Sequence, residues 1–377
     1  MEIPFHRPLY DEADHRAVAA ALASGRIVGD GDATRRASDR LARLLDVRYA
    51  LLTPSCSHAL ELAMMVLDLR EGDEVIVPSF TFVSSTNCIL RQRARPVFAD
   101  ILPTTLTIDV GDVKRKLTPK TKAIIPVVYA GVAPEMDELM DLARRHAAAV
   151  VEDAAQGIGA SYRGRPQGTI GDIGCISFHE TKNISTGEGG ALVTSNETYA
   201  ERAEIIREKG TNRKQFLLGL VDKYTWVGVG SSFLPSDLTG ALLLTQLDKL
   251  EQANARRRAI HDRYVHAFGA SSAGGRLGLP VIPDHTASNY HIFHVMLPDE
   301  ATRNRAIAFF RSRGIGTAFH YLPLHLSPVG RDLLGYRPGD FPVTESVSAR
   351  LLRLPIYPGL TDGEQQRVID TMLEFLR

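Results

Sequence analysis

Apolar runs alternate with amphipathic stretches from about residue 15 to residue 250 of this chain. Residues 36–45 carry apolar positions at helical spacing, and 49–52 predict a short strand. Ser57 is placed to cap an apolar helix over 58–67, which the run Arg70-Glu71-Gly72-Asp73 ends. The runs 74–78, 95–100, 123–128 and 147–151 are almost continuously apolar, with helical patterns between them. Strands of that kind are buried on both faces. The pattern therefore predicts an α/β fold with a mainly parallel sheet covered by helices.

Residues 238–268 form one long helical pattern, expected to bridge two domains. Beyond it the texture changes. Residues 290–297 alternate like a strand with one covered face, a helix is expected over 302–312, and a last one near 362–376. The expected division is a large domain over 1–249 and a smaller C-terminal α/β domain over 250–377.

The length of 377 residues suits such a division. Lys plus Arg and Asp plus Glu number 44 each, so the overall charge makes no case for a nucleic-acid partner. No apolar run approaches membrane-spanning length. The start, Met1-Glu2-Ile3-Pro4-Phe5-His6, lacks a basic segment followed by an apolar stretch, so no secretory signal is expected. The three cysteines, Cys56, Cys88 and Cys175, form no disulfide framework, and a reducing cytoplasm is the expected compartment.

In a parallel α/β sheet the ligand crevice lies beyond the carboxyl ends of the strands. Ser57, Phe82, Asp153 and Lys182 all fall at or just after such ends. Asp153 follows the apolar run 147–151 and would be buried, which requires a positive partner. Lys182 follows the apolar strand 173–176 and precedes the turn Thr186-Gly187-Glu188-Gly189-Gly190. A carboxylate and a lysine at neighbouring strand ends suit pyridoxal phosphate (PLP). The lysine forms a Schiff base with it, and the aspartate keeps a proton on the pyridine nitrogen. Ser57 with nearby amides, and Ser177, can hold a phosphate. Phe82 can stack on the ring, although core packing is the default role of a single phenylalanine.

No histidine set has tetrahedral zinc spacing, so no metal is expected. His291 and His294 would point to opposite faces of a strand. His320 and Tyr321 are better read as a polar wall of the substrate pocket. The glycine-rich turns fit neither a Walker nor a dinucleotide pattern.

Several runs together resemble the DegT/DnrJ/EryC1/StrS family of PLP-dependent nucleotide-sugar aminotransferases, over nearly the whole chain. They are Gly72-Asp73-Glu74-Val75-Ile76-Val77-Pro78, Val151-Glu152-Asp153-Ala154-Ala155-Gln156, Gly187-Glu188-Gly189-Gly190 and His320-Tyr321-Leu322-Pro323-Leu324-His325. Phe178-His179-Glu180-Thr181-Lys182-Asn183 and Arg207-Glu208-Lys209-Gly210-Thr211-Asn212-Arg213 resemble one branch, the dTDP-4-amino-4,6-dideoxygalactose transaminases. The resemblance implies an aspartate-aminotransferase-type fold and a homodimer with shared active sites. It implies that Lys182 carries the cofactor and Asp153 pairs with its ring nitrogen. Gln156 would contact the ring face or phenolic oxygen, while Ser57, Ser177 and the Cys56 amide would bind phosphate and Phe82 would stack. Transfer from L-glutamate to C4 of a dTDP-4-keto-6-deoxyhexose is the implied reaction. A C3 transaminase or a non-catalytic PLP-binding regulator is the alternative. Three positions depart from the family pattern: Ser55-Cys56-Ser57, Val128, and Ser232 in place of an asparagine that reaches the partner's phosphate.

Overall fold

A computed structural model describes residues 2–377. The strands in chain order are Tyr49–Thr53 (β1), Glu74–Pro78 (β2), Arg95–Ala99 (β3), Thr121–Ile124 (β4), Ala149–Ala154 (β5), Ser161–Tyr162 (β6), Arg165–Pro166 (β7), Ile173–Ser177 (β8), Gly190–Thr194 (β9), Thr286–Ala287 (β10), Phe293–Met296 (β11) and Leu351–Leu354 (β12). Seven of them form one sheet in the order β1-β9-β8-β5-β4-β2-β3. Strand β9 is antiparallel to β1 and β8, and the other neighbours run parallel. Because β9 doubles back on β8, the connection 178–189 stays at the carboxyl edge of the sheet. The segment after β1 emerges at the same edge.

Both sheet faces are covered, as the near-continuous apolar strands predict. Side chains alternate across a strand. Leu51, Val75 and Val77 enter one core with Ala59, Leu62 and Ala63 of the helix Cys56–Val66. Leu52 and Ile176 enter another, against Leu243 and Leu247 of Asp237–Asp248. A separate core holds the C-terminal layer, where β11 and β12 pair antiparallel under Glu300–Ser312 and Asp362–Phe375. Ile3 joins that core and bridges Ile315, so the first residues run with the C-terminal layer.

Three expectations are corrected. The helix after β1 is capped by Ser55, whose hydroxyl accepts the His58 amide at 3.2 Å. Ser55 has the extended backbone a cap needs, whereas Ser57 already lies in the first turn. The pattern over 238–268 is two helices, Asp237–Asp248 and Leu250–Ala273. They part at Lys249, whose ammonium bonds Asp14 at 2.5 Å and Asp11 at 2.6 Å. The strand expected over 290–297 is only Phe293–Met296, because Tyr290 has left-handed backbone (φ 54°) and an extended run cannot pass through it.

At the end of β1 the backbone passes close to Gly190. A Cβ there would lie 2.4 Å from the Cys56 nitrogen. Gly190→Ala must push the 55–57 turn outward and is expected to cost about 1–3 kcal/mol. Thermal unfolding and cofactor retention are both expected to fall; an unchanged pair of values would contradict this packing.

Candidate active site

A cavity of about 280 Å³ opens at the carboxyl edge of the sheet. All nine residues singled out in the sequence line it: Cys56, Ser57, Phe82, Asp153, Gln156, Ser177, Lys182, His320 and Tyr321. They come from five separate parts of the chain, so the convergence is a product of the fold.

Asp153 lies within β5, one residue before its end, and is buried. Its Oδ2 accepts the Ser85 hydroxyl at 2.6 Å and its Oδ1 accepts the Ala155 amide at 3.2 Å. Ser85 spends its single proton on the carboxylate. Its 2.8 Å contact with Thr81 Oγ1 must therefore be donated by Thr81. This relay was not anticipated from sequence. The run Ser84-Ser85-Thr86, three hydroxyl residues just past a strand end, was the signal available. Burial raises the Asp153 pKa above the ordinary carboxylate value, with the Ser85 and Ala155 hydrogen bonds opposing it. Among the described residues no ion pair reaches this carboxylate.

Lys182 sits in the β8–β9 connection, whose turn is fixed by its own backbone N–H donating to the His179 carbonyl at 2.9 Å. Gly187 supplies the left-handed backbone (φ 78°) the connection needs. Burial lowers the Lys182 pKa, and Arg353 adds to the lowering, while Cys56 and Asp153 oppose it. A fraction of the amine is thus neutral nearer to physiological pH than in water.

The remaining walls divide into two ends. At one end the N-terminus of the helix Cys56–Val66 faces the cavity, with Ser57 Oγ 2.6 Å from Ser84 Oγ and Ser177 Oγ accepting the His179 amide at 3.3 Å. An exposed helix start with several hydroxyls suits a phosphate dianion. At the other end Gln156 accepts the Ala130 amide at 2.7 Å and donates to Tyr321 Oη at 3.0 Å. His320 Nδ1 lies 3.1 Å from Tyr129 Oη, and its Nε2 lies 3.5 Å from Arg353 Nη1. Arginine only donates, so Nε2 is the acceptor and Nδ1 carries the proton. Burial, Arg353 and Lys182 hold the His320 pKa well below its ordinary value, so the ring is neutral. Phe82 stands at the rim, 58% exposed. Phe5, His291 and Arg353 also line the cavity and were missed in the sequence. Arg353 had a signal: it is the one charged residue of Leu351-Leu352-Arg353-Leu354.

The donor set fits PLP. A buried carboxylate without a cationic partner waits at one wall, a lysine without an ion pair at another, and a phosphate cradle at the end of β1. Ser232 makes a backbone bridge with Glu208 away from this cavity.

Comparison with known proteins agrees with the geometry. The model of the DegT/DnrJ/EryC1/StrS aminotransferase family matches residues 8–373. The spore coat polysaccharide biosynthesis protein SpsC of Bacillus subtilis is 31% identical, with 100% of this chain and 97% of that protein covered. A Geobacillus stearothermophilus protein described as a pleiotropic regulatory protein is 33% identical, covering 92% of this chain and 90% of its own. The putative sugar aminotransferase Spr1654 of Streptococcus pneumoniae, solved in its PMP form, superposes with a TM-score of 0.92 at 28% identity. That match covers 100% of this chain and 98% of the other. The same protein has also been solved in its PLP form.

Ser85→Ala removes the hydroxyl that favours the ionised form of Asp153 and is expected to raise that carboxyl's pKa further. The carboxylate is lost as pH falls through that pKa. Cofactor affinity of the variant should therefore decline at a higher pH than in the unmodified protein. Titration of cofactor binding between mildly acidic and neutral pH checks this, and superimposable profiles would contradict it.

Proposed function

The chain belongs to the DegT/DnrJ/EryC1/StrS aminotransferase family, and from that membership we propose that it moves the amino group of L-glutamate to C4 of dTDP-4-keto-6-deoxy-D-glucose. The products are a dTDP-4-amino-4,6-dideoxyhexose, of galacto or gluco configuration, and 2-oxoglutarate. That it is a PLP-dependent sugar aminotransferase follows from the family and from its structural neighbours. The observation that carries the reading is Lys182 and Asp153 in the wall of one cavity.

When bound, the cofactor supplies an electron sink and carries the amino group between the two substrates. The chain's own residues do the rest. Asp153, ionised beside a ring nitrogen, holds a proton there and so keeps the sink effective in both half-reactions. Lys182 holds the cofactor until an amine displaces it. Its freed Nζ would then take the proton from the donor's α-carbon and deliver it to the carbon on the far side of the amino nitrogen. The lowered basicity of a buried lysine suits both directions of that transfer. Gln156 and Tyr321, bonded to each other, form one wall, and neutral His320 beside them is a candidate hydrogen-bond partner for a sugar hydroxyl. Ser57, Ser177 and the Cys56 amide are the proposed phosphate ligands, and Phe82 the stacking residue.

The choice of sugar and of C4 is supported by the branch-like runs around Lys182 and 207–213. The division at residue 249 is part of the same reading. So is a homodimer. The segment 216–229 exposes Leu217, Leu218, Leu220, Trp226 and Val229, an apolar surface that suits a second copy. Ser232 follows it and is the candidate for a cross-dimer phosphate contact. The second reading, a regulator that binds cofactor without turnover, is favoured by the description of the Geobacillus relative.

L-Glutamate added alone is expected to convert the visible band of the holoenzyme to that of the amino form of the cofactor. The converted protein should then aminate a 4-keto sugar nucleotide in preference to a 3-keto one. Lys182→Ala should lose turnover altogether. A coloured protein inert to glutamate would favour the regulator, and preference for the 3-keto sugar would favour the C3 reaction.

A further inference from the structure

β11 carries a histidine that the active site does not use. His294 is 6% exposed and stands opposite Arg353 in the β11–β12 pair, yet it is not part of the cavity that holds Lys182. Its Nδ1 is buried without a hydrogen-bond partner, and among the described residues nothing bonds its Nε2. Burial, with His261 and Arg353 adding to it, pushes the His294 pKa down to about 3. The ring is therefore neutral, with one nitrogen that donates and one that accepts, and the fold supplies a partner for neither. Buried polar groups in folded proteins are nearly always bonded, so an imidazole left this way points to a partner that the chain itself does not provide.

His294 forms part of the wall of a second cavity, of about 430 Å³, a volume within the range of small-molecule sites. This cavity lies on the seam between the sheet's connecting loops and the C-terminal layer. Leu106, in the connection between β3 and β4, lines one side, and Val281, Met296 and Val347 line the other. Arg350, the last residue of the helix Pro342–Arg350, is the one charged group among the described residues of this wall. Its Nε donates to the Leu297 carbonyl at 2.9 Å, which fixes the guanidinium, and among the described residues no carboxylate pairs with it. Water or an inorganic anion would leave the apolar side chains wet. A purely apolar molecule would leave His294 and Arg350 without partners. An organic acid with an apolar body meets both requirements.

We propose that this cavity is a ligand site, separate from the active site, for a small amphipathic acid. Arg350 holds the anionic group, Leu106, Val281, Met296 and Val347 cover the apolar body, and His294 bonds a polar atom of that body. The site adjoins the catalytic wall. The His294 ring is 6.2 Å from that of Tyr129, whose hydroxyl lies 3.1 Å from His320 Nδ1. An occupant touches both sides of the seam and stabilises the folded protein by mass action.

Calorimetric titration of the holoenzyme with para-hydroxyphenylpropionate, which has a carboxylate, an apolar ring and a hydroxyl, tests this. One saturable site is expected, with a rise in the unfolding temperature. Arg350→Gln, and separately the neutral amide of the probe, should each weaken binding by roughly 10- to 150-fold, the range for a lost charged hydrogen bond. Phenylpropionate, which lacks the hydroxyl, should bind about 2- to 10-fold more weakly than the probe. Val281 is 48% exposed, so Val281→Trp can fill the cavity without disturbing the core, and binding should be lost while the fold is kept. L-Glutamate at saturation should not displace the probe. Unchanged binding in both variants, displacement by glutamate, or no saturable binding up to about 10 mM would overturn the assignment.

Discussion

A carboxylate buried at the end of a central strand has to be kept ionised, and the rest of this site is arranged around that requirement. Asp153 has two hydrogen bonds, from Ser85 and Ala155, and no cation of its own. Two hydrogen bonds soften the desolvation of a carboxylate but do not replace a positive partner. In the proposed reading its counter-charge would be the protonated ring of the cofactor. Binding and electronic activation would then be the same interaction: the ring nitrogen would be held protonated because its proton stabilises Asp153, and Asp153 would stay charged because the ring is there.

The same logic runs through the cations. Lys182 and Arg353 face one cavity and, among the described residues, neither forms a salt bridge, while His320, between Tyr129 and Arg353, is kept neutral. Two basic groups without a salt-bridge partner in one cavity are a poor resting state and a good receptor for an anion. The proposed phosphate cradle is the helix start after β1, and Arg353 enters the same cavity from β12. The sheet and the C-terminal layer both contribute walls to the cavity. The N-terminal strand of residues, through Ile3 and Phe5, ties into that second layer.

Much of this was legible in the chain because buried parallel strands leave a blunt signature, and because strand ends are where such sheets place chemistry. Asp153 and Lys182 could be paired from sequence, since each follows an apolar run. Other features depend on which neighbour a residue meets. Ser55 rather than Ser57 caps the helix, which is settled by one backbone angle. The helix over 238–268 breaks where Lys249 meets two aspartates more than two hundred residues earlier. Ser85 matters only because β5 passes beside it. Arg353 was visible as a charge inside an apolar strand, yet its meaning depends on the face it occupies, and that is set by pairing with β11.

The central claim is that Asp153 holds a proton on the cofactor's ring nitrogen. Reconstitution with cofactor labelled with ¹⁵N in the pyridine ring, followed by NMR of the holoenzyme, reads that proton directly. The expected result is the chemical shift of a protonated pyridinium at neutral pH in the unmodified protein, and of a neutral pyridine in Asp153→Asn. A neutral ring nitrogen in the unmodified holoenzyme would contradict it.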